Sequence, residues 1–453
     1  MRYLILIVFF CSITSLQAQQ GDFLPLRYNE NYLYLKNDST NWYSNMKFLP
    51  VKKNSNAYFS FGGDVRYQYF YYKNEAWGDV PQDNDGQVMT RYLAHVDYHM
   101  SDVFRVFFQL QSSMANGKDS GNSPVDENQL DLHQLFIDVN LPFHQSDKIT
   151  LRIGRQEFLY GSQRLVSVRE GPNNRQAFDA IKLITAGKNI NTDMFFSYQV
   201  ASKPNIFDDR SDKNVRFWGI YSVINSLPIF KNADVYYLGI SKQDAAFGEI
   251  SGEEIRHSVG TRIWNKSSKW EYDFEGVYQW GEFAATSISA WTLSANTAYS
   301  FSQVKSKPKL GLKTEIISGN GQNSKLNTFN ALFPRGAYFG LAALIGPSNL
   351  FDVHPYLELT PAKNLNLSID CDIFWRMSKY DGIYGPNVKT IYTGTAENAR
   401  EIGQQVGLEL VYSISKFLSV QTEITWFNTG DYLKQVSTGK DILMVGSTTQ
   451  LKF

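Results

Sequence analysis

Trp270-Glu271-Tyr272-Asp273-Phe274-Glu275-Gly276-Val277-Tyr278-Gln279-Trp280 alternates large apolar side chains with acidic and polar ones. In an extended chain successive side chains point to opposite faces, so this stretch is a strand with one aromatic and one charged face. A soluble sheet has no reason to set charges so regularly against rings. A strand with lipid on one side and a wet lumen on the other does.

The same period of two recurs outward from this stretch in both directions. Near the start, Phe59, Phe61, Val65, Tyr67 and Tyr69 share one face, and Ser60, Gly62, Asp64, Arg66 and Gln68 the other. Eighteen such segments follow one another, the first at 57–72 and the last at 441–453. An even number lets a single antiparallel chain close on itself. Connection lengths alternate too. Long or polar connections at 73–86, 116–130, 160–176, 202–213, 243–253, 319–349, 378–400 and 429–440 alternate with short ones such as 101–103, 266–268 and 415–416; only 283–286 is short for its series. The expected fold is all-β: a transmembrane antiparallel β-barrel of about 18 strands, of the bacterial outer-membrane type.

Composition agrees with a barrel. The chain has 31 Phe, 27 Tyr and 9 Trp, yet equal numbers of basic and acidic residues, 44 each, and a mean hydropathy of −0.32. A neutral balance argues against a nucleic-acid partner, whose phosphates call for a basic surplus. Arg2, the apolar run Leu4 to Cys11 and Ser12 to Ala18 read as a signal peptide, 1–18, cleaved after Ala18. Phe9 and Phe10 before Cys11 do not suit lipoprotein processing. No later run reaches the ~18 apolar residues that a spanning helix needs. Cys371 is the one cysteine beyond the leader, so no disulfide framework is expected. Residues 19–56 are read as an N-terminal periplasmic, plug-like segment, and 57–453 as the barrel.

Catalytic patterns such as G-x-S-x-G, H-E-x-x-H, C-x-x-C and the P-loop are missing, and the chain is read as a non-enzyme without a cofactor or a metal. His95, Asp97 and His99 share one strand face and could begin a metal site, but ordinary pore lining is the expected role. Asp83, Asn84 and Asp85, and Asp208, Asp209 and Asp212, are oxygen-rich, yet read as solvated turns.

Leu151-Arg152-Ile153-Gly154-Arg155-Gln156-Glu157, continuing to Tyr160-Gly161, Arg164-Leu165, Asn174-Arg175 and Phe178-Asp179-Ala180, resembles the alginate export porins. So do Thr328-Phe329-Asn330-Ala331-Leu332-Phe333-Pro334 with Ile345-Gly346 and Asn349-Leu350, and Phe374-Trp375-Arg376-Met377-Ser378 with Asp381-Gly382-Ile383-Tyr384. The resemblance runs from about Phe59 to the C-terminus. It implies an eighteen-stranded outer-membrane channel for an anionic, alginate-like polysaccharide; a general diffusion porin is the alternative, and a barrel enzyme or surface receptor a more distant one. The family closes its pore with a long periplasmic turn near the C-terminal end. Here that turn is only Ser415-Lys416, so a lid would have to come from 319–349 or 19–56.

A barrel of this size leaves an aqueous channel whose inward residues set selectivity. Alternation places Arg66, Arg91, Arg105 and Arg152 inward on early strands and Arg256 and Arg262 on the tenth; Arg376 joins this pore-lining set. Guanidinium groups suit the transient holding of uronate carboxylates. The alternative is that they pair with Asp64, Asp97 and Asp138 and stiffen the wall. Arg155 falls on the lipid-facing side of the alternation. Either it lies high enough to reach headgroups, or a bulge at Gly154 turns it into the pore; the bulge is the expectation. Acidic residues gather inward on later strands, among them Glu271, Asp273, Glu275, Asp370, Asp372 and Glu409, so the lumen is read as bipolar. Phe453 at the end of an amphipathic strand resembles the signal read by the barrel assembly machinery. The expected partners are therefore that machinery, outer-membrane lipid and lipopolysaccharide, and an anionic polysaccharide or oligosaccharide, with the barrel a monomer.

Overall fold

The computed structural model describes residues 23–37, 41–52, 55–119, 121–123, 125–143, 147–266 and 269–453; the signal-peptide reading of 1–18 lies outside them. Eighteen long strands form one closed antiparallel barrel. In chain order they are β1 (Tyr58–Lys73), β2 (Gln87–His99), β3 (Phe104–Asn116), β4 (Asn128–Phe143), β5 (Asp147–Gln156), β6 (Phe178–Ala186), β7 (Ile190–Ala201), β8 (Arg210–Leu227) and β9 (Lys231–Phe247). There follow β10 (Ile250–Asn265), β11 (Trp270–Phe283), β12 (Thr286–Ser300), β13 (Lys309–Ile317), β14 (Leu350–Ala362), β15 (Leu365–Arg376), β16 (Glu401–Ser413), β17 (Leu418–Thr429) and β18 (Ile442–Lys452). Each pairs with its sequence neighbours, and β1 pairs with both β2 and β18: Arg66 stands opposite Arg91 on one side and Gln450 on the other. Closure pairs each of the eighteen strands on both sides, the condition for strands to cross lipid.

Burial follows the alternation. On β5 Thr150 and Arg152 are buried while Ile153 is 48 % exposed, and on β6 Ile181 is 56 % exposed. Tyr67, Leu293 and Trp426 are likewise exposed on β1, β12 and β17. An apolar band continuous around the sheet would be an association surface in water. In hydrocarbon it is the favourable face, which is why aromatic and aliphatic residues turn outward and charged ones inward.

Connections are short at one end and mostly long at the other. One expectation is corrected: 243–253 is not a long loop, because β9 continues to Phe247 and β10 begins at Ile250, joined through Gly248 at φ 61°. Its neighbour turns at Ala284-Ala285, both with positive φ, as a two-residue hairpin requires. These hairpins carry the wall beyond the strands on either side.

Among the described residues, three stretches account for much of the filling inside. Residues 157–177 and 318–349, both from the long-loop end, fold into the barrel and meet where Val166 bridges Phe333. Residues 23–37 and 41–52 enter from the opposite end. There α1 (Trp42–Lys47) starts on Asn41, whose side chain accepts the Ser44 N–H at 3.0 Å. Tyr32, Leu35, Tyr43 and Phe48 pack with Tyr58 against Phe417 of the short 414–417 turn. Tyr28 reaches deeper and packs edge-on against Phe107 and Phe136 of β3 and β4.

Candidate functional site: a charged lumen crossed by two loops

On the inner wall of β1 and β2 Arg66 and Arg91 stand directly opposite each other, which is destabilising for like charges unless an anion intervenes. Asp64 supplies one carboxylate, 3.1 Å from Arg91. Glu170, from the inward 157–177 loop, supplies another at 2.5 Å from Arg91 and also takes Arg175. Arg66 donates to the carbonyls of Glu170 and Pro172 at 2.6 and 2.8 Å. Loss of water pushes the Glu170 carboxyl up, but Arg91, Arg175 and Arg66 outweigh this and hold it well below the usual carboxylate range. The two strand arginines thus fasten a loop to the wall.

The next arginines pair across strands. Arg105 binds Asp97 through two contacts of 2.7 Å, and its guanidinium also donates to the Tyr28 carbonyl. Arg152 forks onto Asp138 at 2.7 and 2.8 Å and lies against the rings of both Tyr28 and Phe136, 4.2 and 4.0 Å from their centres. Asp64, Asp97 and Asp138 are the three carboxylates that the stiffened-wall alternative names. On β10 Arg262 grips Asp273 and Asp234, while Arg256, fully buried, holds Glu254, Gln279 and the Thr328 carbonyl of the second inward loop. Arg376 donates to the carbonyls of Lys379, Asp381, Asn398 and Ala399, organising 377–400 from within.

Arg155 departs from its expected placement. Pairing through Gly154 runs without a register shift, so there is no bulge there to turn the side chain. The extra residue lies on the next strand, where Gln109 pairs with Gln134 but Leu110 with Leu132, leaving His133 between. Arg155 keeps its place in the alternation and is neutralised by Asp179 on β6, at 2.9 and 3.2 Å. A lipid-side arginine costs ~2–4 kcal/mol near the midplane but little near the interface; this one sits at the long-loop end of β5.

The inward loops bring residues that strand periodicity could not single out. Ser167 N–H donates to the Phe333 carbonyl and Phe333 N–H to that of Leu165, each at 2.9 Å, over an aromatic floor of Phe158, Phe178 and Phe217. Arg164 reaches from the first loop to Glu275 and Glu315. Arg169 and Arg335, one on each loop, make no ion pair among the described residues; burial alone pushes the Arg169 guanidinium down from its ordinary value, and Arg335 donates to the Ala337 carbonyl at 2.9 Å. Another stretch of the wall is acidic: Glu409 and Glu423 face each other on β16 and β17, near Asp370 and Asp372 on β15. A cavity of about 540 Å³ opens there, between Lys309, Glu358, Asn366, Ser368 and Glu409.

The His95, Asp97 and His99 row does not assemble into a ligand set among the described residues. Arg105 claims Asp97, His99 contacts the same carboxylate at 3.1 Å, and His95 stacks on Phe107. Asp83 caps the backbone N–H groups of Asp85 and Gly86, a turn. Asp208 and Asp209 gather instead with Asp131, whereas Asp212 turns away to the Asn214 N–H.

The family model for alginate export matches residues 57–440. No curated protein matches the sequence. Among solved structures the fold is similar to OccD3 (OpdP) of Pseudomonas aeruginosa, at 12 % identity and a TM-score of 0.58, covering 87 % of this chain and 91 % of that one. It is also similar to a BenF-like porin from Pseudomonas fluorescens Pf-5 (10 %, 0.56, 87 % and 99 %) and to Pseudomonas aeruginosa OpdK solved with vanillate (9 %, 0.55, 88 % and 98 %). At such identities the likeness is one of fold: an outer-membrane porin barrel.

Proposed function

The chain belongs to the alginate export family, and from that footing we propose that this outer-membrane channel passes an anionic, alginate-like polysaccharide. The observation that carries the reading is the pair of loop arginines, Arg169 and Arg335, which lie where the two inward loops meet and have no carboxylate of their own. A guanidinium fork is weakly hydrated and matches a uronate carboxylate, so it can hold and release successive sugars. The strand arginines serve this path indirectly by fastening the loops that carry the free pair. The acidic β14–β17 wall repels the chain toward them. Residues 23–52 act as a plug at the short-turn end. The apolar outer face contacts lipid and lipopolysaccharide, the assembly machinery reads β18, and one chain forms the working unit.

A second reading, a porin for small hydrophilic solutes, is favoured by how fully the three segments occupy the lumen. Single-channel recording with Arg169→Gln and Arg335→Gln combined separates the two. The polyuronate reading expects oligouronates to block the wild-type current more strongly than neutral oligosaccharides of equal length, and the double variant to lose that difference. Raising salt from 0.1 to 1 M shortens the screening length from ~10 to ~3 Å and should imitate the substitutions in part. Equal block of the wild type by both sugars would leave the small-solute porin standing.

A further inference from the structure

Asp352 and His354 on β14 and Asp372 on β15 each offer a ligand atom within 4.8 Å of the others. Val353 pairs with Ile373, which sets His354 against Asp372 and Asp352 one diagonal step away on the same inner face. Asp352 and Asp372 are 0 % exposed, and none of their four oxygens accepts a hydrogen bond among the described residues. Among the described residues Asp352 has no polar side-chain partner and Asp372 meets only the His354 ring, so these two buried carboxylates are left short of compensation by the chain itself.

The histidine indicates what would make good the shortfall. Its Nδ1 lies 3.0 Å from Asp372 Oδ2, yet the pair lacks hydrogen-bond geometry. Two donors bound to one cation by bonds of about 2.1 Å lie about 3.0 Å apart at a right angle and about 3.4 Å apart at a tetrahedral one, so the pair stands within a small adjustment of a shared ion. Behind the ring, Nε2 faces Asp370 Oδ2 at 3.6 Å, the position from which a carboxylate orients a metal-bound imidazole. The cations nearby are committed elsewhere: Lys313 to Glu315 at 3.2 Å, and Arg164 to Glu315 and Glu275.

We propose that Asp352, His354 and Asp372 bind a divalent transition-metal ion of the zinc type in the lumen wall. The imidazole selects against calcium and magnesium, which take all-oxygen sites. Three protein ligands leave a coordination position open for water or for a carboxylate of a passing solute. The ion also offsets charge on the acidic wall.

The test uses the full-length, untagged barrel in detergent, stripped with a chelator and titrated with ZnCl₂ by calorimetry. One ion should bind per barrel, excess Ca²⁺ should not displace it, and Asp352→Asn with Asp372→Asn should weaken binding at least 100-fold. Asp370→Asn, behind the imidazole, should weaken it by about 10- to 100-fold. A measurement on the wild type alone guards against variants that do not fold: zinc should protect His354 from imidazole-directed acylation, mapped by mass spectrometry. Absence of saturable binding, binding that survives the double substitution, or an unprotected His354 overturns the proposal; the carboxylates would then be held by protons.

Discussion

Glu170 fastens 157–177 to Arg91 and Arg66 of the wall, and Glu170→Gln tests what that latch contributes. The substitution keeps the shape and removes the charge that Arg91, Arg175 and Arg66 share. Arg91 is fully buried and would retain only Asp64, 3.1 Å away, while Arg175 would retain Glu157. Breaking a fully buried pair costs ~3–5 kcal/mol, and an exposed pair contributes ~0–1 kcal/mol. The Glu170 side chain is 46 % exposed toward the lumen, so the loss should fall between, at about 2 kcal/mol. That corresponds to a shift of roughly 30-fold in the balance between docked and released loop. In planar bilayers the variant should spend correspondingly more time in a higher-conductance state. Acid should not reproduce this at pH 5. A carboxyl held below its ordinary value contributes stability above the unfolded pKa of about 4.3 and loses it only as pH falls through the depressed folded value. Traces indistinguishable from wild type, in a barrel that still migrates as folded on unheated gels, would refute the latch.

Three further outcomes follow from other parts of the molecule. Burial, and then the neighbouring Arg27, push the Lys47 ammonium down to about 7, against the opposing pull of Glu30 and Asp97; a lowered lysine gives a docking contribution that grows as pH rises from about 7 to its ordinary value near 10.4. Proteolysis within 23–52 should therefore be faster at pH 6 than at pH 9, and Lys47→Met should remove the difference; equal rates in the wild type would contradict it. Gly154 has φ 130°, and a Cβ there would lie 2.2 Å from the Leu135 carbonyl oxygen; Gly154→Ala should cost about 2–4 kcal/mol from strain and overlap together, read as a lowered urea midpoint in detergent, and an unchanged midpoint would show that the strand relaxes. Phe453→Asp removes a ring that packs on Gly63 and should reduce the amount of barrel in the outer membrane far more than the conductance of barrels that do assemble; normal surface levels would count against it.

The wall was legible in the sequence because one rule acts at every position of a strand. Tyr67 outward and Arg66 inward are decided by a period of two and by lipid, whatever the neighbours do. The pairings of Arg105 with Asp97 and of Arg152 with Asp138 could be anticipated as an alternative but not chosen, since register sets which carboxylate lies opposite which arginine. The contents of the barrel were harder to read. Loops 157–177 and 318–349 fold inward because Asn side chains satisfy the backbone groups that burial strips of water: Asn173 donates to the carbonyls of Thr90, Met114 and Asp126, and Asn349 to those of Ser378 and Gly382. No local pattern announces such a role. The run Phe329 to Phe333, apolar except for Asn330, was a usable sign, too hydrophobic for a loop in water. The group of Asp352, His354 and Asp372 escaped for the same reason as the pairings, being assembled by adjacency of strands.

Arg27 donates to the carbonyls of Gly63 and Phe453 at 2.8 Å each, and those two residues are themselves joined by reciprocal backbone hydrogen bonds of 2.9 and 3.1 Å. The guanidinium therefore recognises a composite: neither acceptor alone, but the zipped β1–β18 seam, with partners separated by 426 positions from Arg27 on one side and 36 on the other. The docking of 23–37 is in this way tied to the closure of the wall. A barrel whose seam has not zipped would offer the arginine only half of its docking point.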